Sequence, residues 1–128
     1  MPPQHTAFSQ ARILVVEDEY FLASDLAEAI GATGATVVGP TGRLSDAREL
    51  ARDHAIDIAV LDVNLRGEMV FDLLDELVSR DVPVILATGY GRAGLPERYR
   101  ACHLVEKPYK IPALLTEIAK HLKSAPAA

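Results

Sequence analysis

Short, continuous apolar runs alternate along this chain with longer stretches in which apolar residues recur every three or four positions. Arg12-Ile-Leu-Val-Val16 is the first such run, the pattern of a strand covered on both faces. Leu22, Leu26 and Ile30, backed by Ala23, Ala27 and Ala29, then form one helical face, and Gly31 and Gly34 offer its stop. Thr36-Val-Val-Gly39 predicts a second strand, closed by Pro40. Leu44, Ala47 and Ala51 predict a second helix, with Arg48, Glu49, Arg52 and Asp53 outside. The third strand runs from Asp57 to Asp62, and Leu65-Arg66-Gly67 reads as a loop. Val70, Leu73, Leu74 and Leu77 predict the next helix, with Asp72, Asp75 and Glu76 facing water. Val82 to Ala87 is the fourth strand, ending at Thr88-Gly89-Tyr90. Gly91 to Tyr99 makes a poor helix, because Gly94 and Pro96 oppose one; a proline costs roughly 3 kcal/mol in a helix interior. Cys102-His-Leu-Val105 is the fifth strand. Ile111, Leu114, Leu115, Ile118 and Leu122 line a last helix, with Pro112 near its first turn.

Strand and helix alternate five times, which argues for a doubly wound α/β sheet with right-handed crossovers. In the flavodoxin-like arrangement, a five-stranded parallel sheet of order 2-1-3-4-5, ligands lie outside the carboxyl ends of the strands at the switch point. The residues at those ends are Glu17 and Asp18 after strand one, Asp62 after three, Thr88 after four and Lys107 after five. Each alone has an ordinary structural reading. Acids cap helices and favour their N-termini, a threonine ends a strand, and a lysine sits in water. Together they occupy the places where this topology puts a site.

Composition narrows the setting. The 128 residues are enough for one domain with a real core. Residues 1–10, with Pro2 and Pro3, read as a flexible leader, 11–123 as the folded domain and 124–128 as a short tail. An apolar content of 49% with 24% charged residues fits a soluble globular protein, and no apolar run reaches the ~20 residues of a membrane span. The start lacks a signal-peptide pattern, and Cys102 is the single cysteine, so a cytoplasmic, reducing setting is expected. A net charge of −5 disfavours direct contact with nucleic acid and suits a protein that gathers carboxylates for a cation. His5, His54, His103 and His121 have no metal-ligand spacing, and Arg92, Arg98 and Arg100 read as a solvated basic face.

Three carboxylates brought together repel, by about 4 kcal/mol for a pair at ~4 Å and an effective dielectric of ~20. A hard divalent cation relieves that repulsion, and a donor set of oxygens points to Mg²⁺. Lys107 adds a cation, Thr88 a hydroxyl, and Gly89 clears space beside Asp62. A carboxylate nucleophile with Mg²⁺ and a lysine is the equipment of phosphoryl transfer. A cis Lys107-Pro108 bond is expected, aiming the ammonium inward.

With Glu17-Asp18, Asp62, Thr88 and Lys107-Pro108 in this order, the chain resembles a two-component response regulator receiver domain (CheY-like) over residues 12–123. The resemblance implies that Asp62 is the phosphoacceptor and that Thr88 and Lys107 grip the phosphoryl group. It implies that Mg²⁺ is bound by Asp18, Asp62 and the backbone carbonyl of Asn64, with Glu17 acting through water. Receivers commonly carry a switch aromatic on strand five, and Leu104 stands at that position here. Leu86-Ala-Thr-Gly-Tyr90 is similar instead to the FAT GUY subfamily, with Leu86 for its leading Phe, and Tyr90 or Tyr109 is left to fill the aromatic role. The implied donor is a phosphohistidine on a histidine kinase, often of the HWE type in this subfamily, or on a phosphotransfer protein. The implied output is phosphorylation-dependent contact with a downstream protein, by a single-domain receiver or an excised one that turns over no separate substrate.

Two other readings use the same residues. A phosphatase of the haloacid dehalogenase type also employs an aspartate and Mg²⁺. It needs a second acid two residues on, however, where this chain has Asn64, which cannot carry the proton transfer. A receiver-like binding module that acts without phosphorylation is the other.

Overall fold

The computed structural model describes residues 8–123. Five long strands are present: β1 (Arg12–Val16), β2 (Thr36–Thr41), β3 (Ile58–Asp62), β6 (Val84–Thr88) and β7 (His103–Glu106). They form one parallel sheet in the order β2-β1-β3-β6-β7, the expected 2-1-3-4-5. Four α-helices connect or close them: α1 (Tyr20–Gly31), α2 (Leu44–Asp53), α3 (Phe71–Ser79) and α4 (Ile111–Lys123). This is the flavodoxin-like α/β fold expected of the alternation.

Side chains alternate across the sheet, so each strand feeds two cores. Leu14, Val16, Ala59, Leu61, Val84 and Leu86 pack with α2 and α3 on one face. Ile13, Val15, Ile58, Val60 and Ile85 pack with Leu26 and Ile30 of α1 and Leu114 and Ile118 of α4 on the other. β3 and β6 lie in the interior of the sheet and are buried along their whole length, which is why their sequences are unbroken apolar runs. Phe8, inside the stretch expected to be leader, is fully enclosed in the second core, so packing begins upstream of Ala11. Residues 1–7 and 124–128 lie outside the described part.

Two local expectations are corrected, and a third is met. Pro40 does not close β2, which continues to Thr41 through a cis Gly39-Pro40 bond and an irregularity opposite Leu14–Val16. As an edge strand paired only with β1, β2 can carry a proline without losing a central ladder. The loop at Leu65–Gly67 is a tight hairpin of two short strands, β4 (Asn64–Leu65) and β5 (Glu68–Met69). Its two-residue turn, Arg66-Gly67, has φ values of 54° and 95°, the left-handed geometry such turns demand. Between β6 and β7 there is no α-helix, only 3₁₀ turns at Arg92–Gly94 and Glu97–Tyr99, consistent with the Gly94 and Pro96 breakers.

Candidate phosphoryl-transfer site

β1 and β3 run side by side and stop together, and the chain turns polar where each leaves the sheet. That places Glu17 and Asp18 beside Asp62, with one carboxylate oxygen from each lying within 4.8 Å of the others. Glu17 and Asp62 are buried, at 4% and 7% exposure, so neither relieves the repulsion by turning to water. Lys107 reaches them from the end of β7. Its Nζ lies 2.8 Å from Glu17 Oε1 and 3.0 Å from Asp62 Oδ2. The Lys107-Pro108 bond is cis.

Other contacts fix these groups in place. The Glu17 N–H donates to Thr41 O (2.9 Å), and Glu17 Oε2 accepts the Glu19 N–H (2.9 Å). Gly42 backs the acidic loop so closely that a Cβ there would stand 2.8 Å from Asp18 Cα. The Val63 N–H donates to Ala87 O, and the Lys107 N–H to Thr88 O (2.8 Å). Thr88 is buried, and its hydroxyl oxygen accepts the Tyr90 N–H at 3.1 Å. The Asn64 side-chain oxygen accepts the Gly67 N–H (2.7 Å), which anchors that side chain to the turn. Asp62, Asn64, Thr88, Gly89 and Lys107 all border one open recess of about 340 Å³.

The electrostatics follow from this crowding. Burial pushes the Asp62 carboxyl up to about 6, with Lys107 opposing the rise and Glu17 adding to it. Lys107 is raised as well: burial would lower it, but its bonds to Glu17 and Asp62 outweigh that. Burial and the nearby Glu17 push Tyr109 up to about 12, so it stays a neutral phenol. A hard, oxygen-only donor set that remains under-neutralised suits a divalent cation of the Mg²⁺ type.

Glu17, Asp18, Asp62, Asn64, Thr88 and Lys107, singled out from the sequence, therefore all lie at one end of the sheet. Others were not singled out. Arg66 reaches Asp18 from the hairpin turn, its Nε 3.8 Å from Oδ2, and also borders the recess. The arginines read as a solvated face are exposed, and they also staple their own segment. Arg92 donates to the carbonyls of Arg100 and Cys102, and Arg100 Nε to Leu95 O (3.0 Å). Arg98 lies 3.1 Å from Asp75 and over the Tyr99 ring (4.5 Å). The buried aromatic of this region is Tyr99, stacked on Phe71 with centroids 4.5 Å apart and donating its hydroxyl to Asp75 at 2.9 Å. Tyr90 is 79% exposed, and Tyr109 is half-buried beside β7 and α4. A tyrosine three residues after Pro96 was the available signal, and the breakers around it concealed its packing.

Known proteins share this fold. The sequence profile of the response regulator receiver domain matches residues 13–119. Transcriptional regulatory protein PdtaR of Mycobacterium tuberculosis is 32% identical over 111 residues, 84% of this chain and 54% of that protein. The chain thus spans about half the length of the curated relative. Among solved structures, SdrG from Sphingomonas melonis is 33% identical with a TM-score of 0.75, covering 91% of this chain and 98% of that one. The PhyR receiver domain of Erythrobacter litoralis is 25% identical with a TM-score of 0.80, covering 95% and 98%. With the profile spanning most of its length and the acids, hydroxyl and lysine gathered at one sheet end, the chain belongs to the response regulator receiver domain family.

Proposed function

We propose that this receiver accepts a phosphoryl group on Asp62 from a phosphohistidine of a histidine kinase or phosphotransfer protein. The observation that carries the reading is the placement of a buried Asp62 between two further carboxylates and the Lys107 ammonium. Lys107 holds Oδ2 of Asp62, which leaves Oδ1 as the attacking atom. The donor's P–N bond breaks, its electron pair stays on the imidazole, and an O–P bond forms at Asp62. Lys107 then shifts its charge toward the phosphoryl oxygens, aided by the Thr88 hydroxyl.

Asp18 and Asp62 would hold Mg²⁺ directly, with the Asn64 carbonyl, and Glu17 through water. Bound there, the ion would neutralise charge that develops on the transferring group. The Asn64 side chain is committed to the turn, which favours its carbonyl as the ligand and leaves no second acid for phosphatase chemistry.

Thr88 supplies the readout. Its hydroxyl oxygen already accepts the Tyr90 N–H, so any movement of that side chain toward a phosphoryl oxygen would pull on the start of the following segment. The segment from Thr88 to Arg100 would rearrange in response, and its altered surface would engage a downstream protein. Residues 11–123 are the acting unit in this reading, set in the cytoplasm; no described helix is long and apolar enough to cross a membrane. The test is Mg²⁺-dependent labelling by acetyl phosphate, followed by phosphotransfer profiling against candidate kinases, the HWE type included. Labelling of Asp62→Asn at the wild-type rate would remove Asp62 as acceptor. Unchanged hydrogen exchange across residues 88–100 with beryllofluoride would remove the readout.

A further inference from the structure

The two cations at this site divide the acids between them. Lys107 pairs with Glu17 and Asp62, and the ion-pair partner of Asp18 among the described residues is Arg66. The two attachments differ in kind. Lys107 is largely enclosed and makes short contacts, whereas the Arg66 side chain is 82% exposed and holds Asp18 at 3.8 Å. Such an exposed pair is weak and readily exchanged.

The base of Arg66 is the opposite of loose. Leu65 is buried in the core, the Val70 N–H donates to Val63 O across the foot of the hairpin, and Asn64 clamps the Gly67 N–H. Arg66 itself sits at φ 54°, a conformation that asparagine or glycine adopts with less strain. A rigid turn thus carries a long, exposed guanidinium at a position where turn chemistry alone favours another residue. That guanidinium borders both the recess containing Asp62 and the neighbouring one that contains Glu17 and Asp18.

Charge counting gives the exchange a direction. Three carboxylates against Lys107 and Arg66 leave one negative charge in excess. A divalent cation on Asp18 would reverse the sign and compete with the guanidinium for that carboxylate. A dianionic phosphoryl group on Asp62 then brings the site to neutrality, provided that Arg66 remains within reach.

We propose that Arg66 is an exchangeable counter-ion, holding Asp18 in the cation-free protein and moving to the phosphoryl oxygens once a divalent cation takes Asp18. This rests on Asp62 as acceptor for its second half only. The first half concerns the carboxylate cluster alone.

The test uses Arg66→Asn, which suits the turn and removes the charge, and Arg66→Lys, which keeps a charge without the planar fork. Mn²⁺ affinity is measured by electron paramagnetic resonance, and the KM and kcat for acetyl phosphate by labelling at saturating Mg²⁺. For Arg66→Asn, Mn²⁺ binds roughly two- to fivefold tighter, the range of an exposed ion pair. The acetyl phosphate KM rises by a similar factor, and kcat moves less. Opposite signs for cation and anion are the signature, since a purely structural role would weaken both; Arg66→Lys falls between. Unchanged or weaker Mn²⁺ binding in Arg66→Asn overturns the proposal, whatever the labelling shows. Tighter Mn²⁺ with an unchanged KM overturns the move to the phosphoryl group. Absence of labelling in the wild-type chain, with the Mn²⁺ effect intact, instead counts against Asp62 as acceptor.

Discussion

The two halves of the site end are built by opposite means. The acids and Lys107 stand on the ends of β1, β3 and β7, where β1 and β3 are almost wholly buried and their register is fixed by the ladder. The segment from Gly89 to Arg100 has two 3₁₀ turns, little buried apolar surface beyond Leu95 and Tyr99, and a set of arginine hydrogen bonds. The first region is held by packing, which is costly to undo in part. The second is held by polar bonds that water or a new partner can replace at small net cost. A receiver needs both kinds: chemistry that stays put, and a reporter that does not.

Four measurements break or sharpen that contrast. The largest effect is expected from Asp62→Asn, which abolishes acetyl phosphate labelling yet raises cation-free stability by about 1–2 kcal/mol, because a buried, repelled carboxylate is removed. Chemical denaturation and labelling of the same preparation check both signs together. Next, Lys107→Met leaves Glu17 and Asp62 unpaired and costs about 3 kcal/mol at pH 8 without divalent cation. Saturating Mg²⁺ should recover part of the loss in a parallel denaturation series.

A pH series comes third. The Asp62 carboxyl is pushed up to about 6 in the folded protein against an ordinary 3.8, so the folded state holds this proton more firmly. Its contribution is therefore most favourable below about pH 4 and is lost as pH rises through about 6, a fall of about 3 kcal/mol. Subtracting the Asp62→Asn curve isolates it, and a flat difference would mean that Asp62 is not under strain. The smallest effect belongs to Tyr99→Phe, which removes the hydroxyl bond to Asp75 at about 1 kcal/mol. Amide exchange should quicken in residues 89–100 while the labelling rate stays within about twofold. A matching fall in labelling would show that the two regions are not separable.

The same contrast explains what was readable in the sequence. Ile58 to Asp62 and Val84 to Thr88 are central strands, and their burial on both faces imposes unbroken apolar runs that end where the sheet ends. From those ends the positions of Glu17, Asp18, Asp62, Thr88 and Lys107 follow by topology. Edge and loop structure leaves a weaker trace. β2 continues through Pro40 because only one of its sides is paired. The Asn64–Met69 hairpin is too short for any periodicity. Tyr99 and the three arginines owe their roles to contacts across many residues, such as Tyr99 with Asp75, which no local pattern records.

The arginine staples also bear on how this domain can diversify. Arg12, Arg80, Arg92 and Arg100 all direct guanidinium groups at main-chain carbonyls, those of Ala55, Ala51, Cys102 and Leu95 among them. A carbonyl is the one acceptor that every amino acid supplies. The clamps are therefore indifferent to which side chains occupy the clamped positions. Lineages descended from such a chain could rewrite its outward face residue by residue, acquiring new recognition, while the loops beneath keep their path.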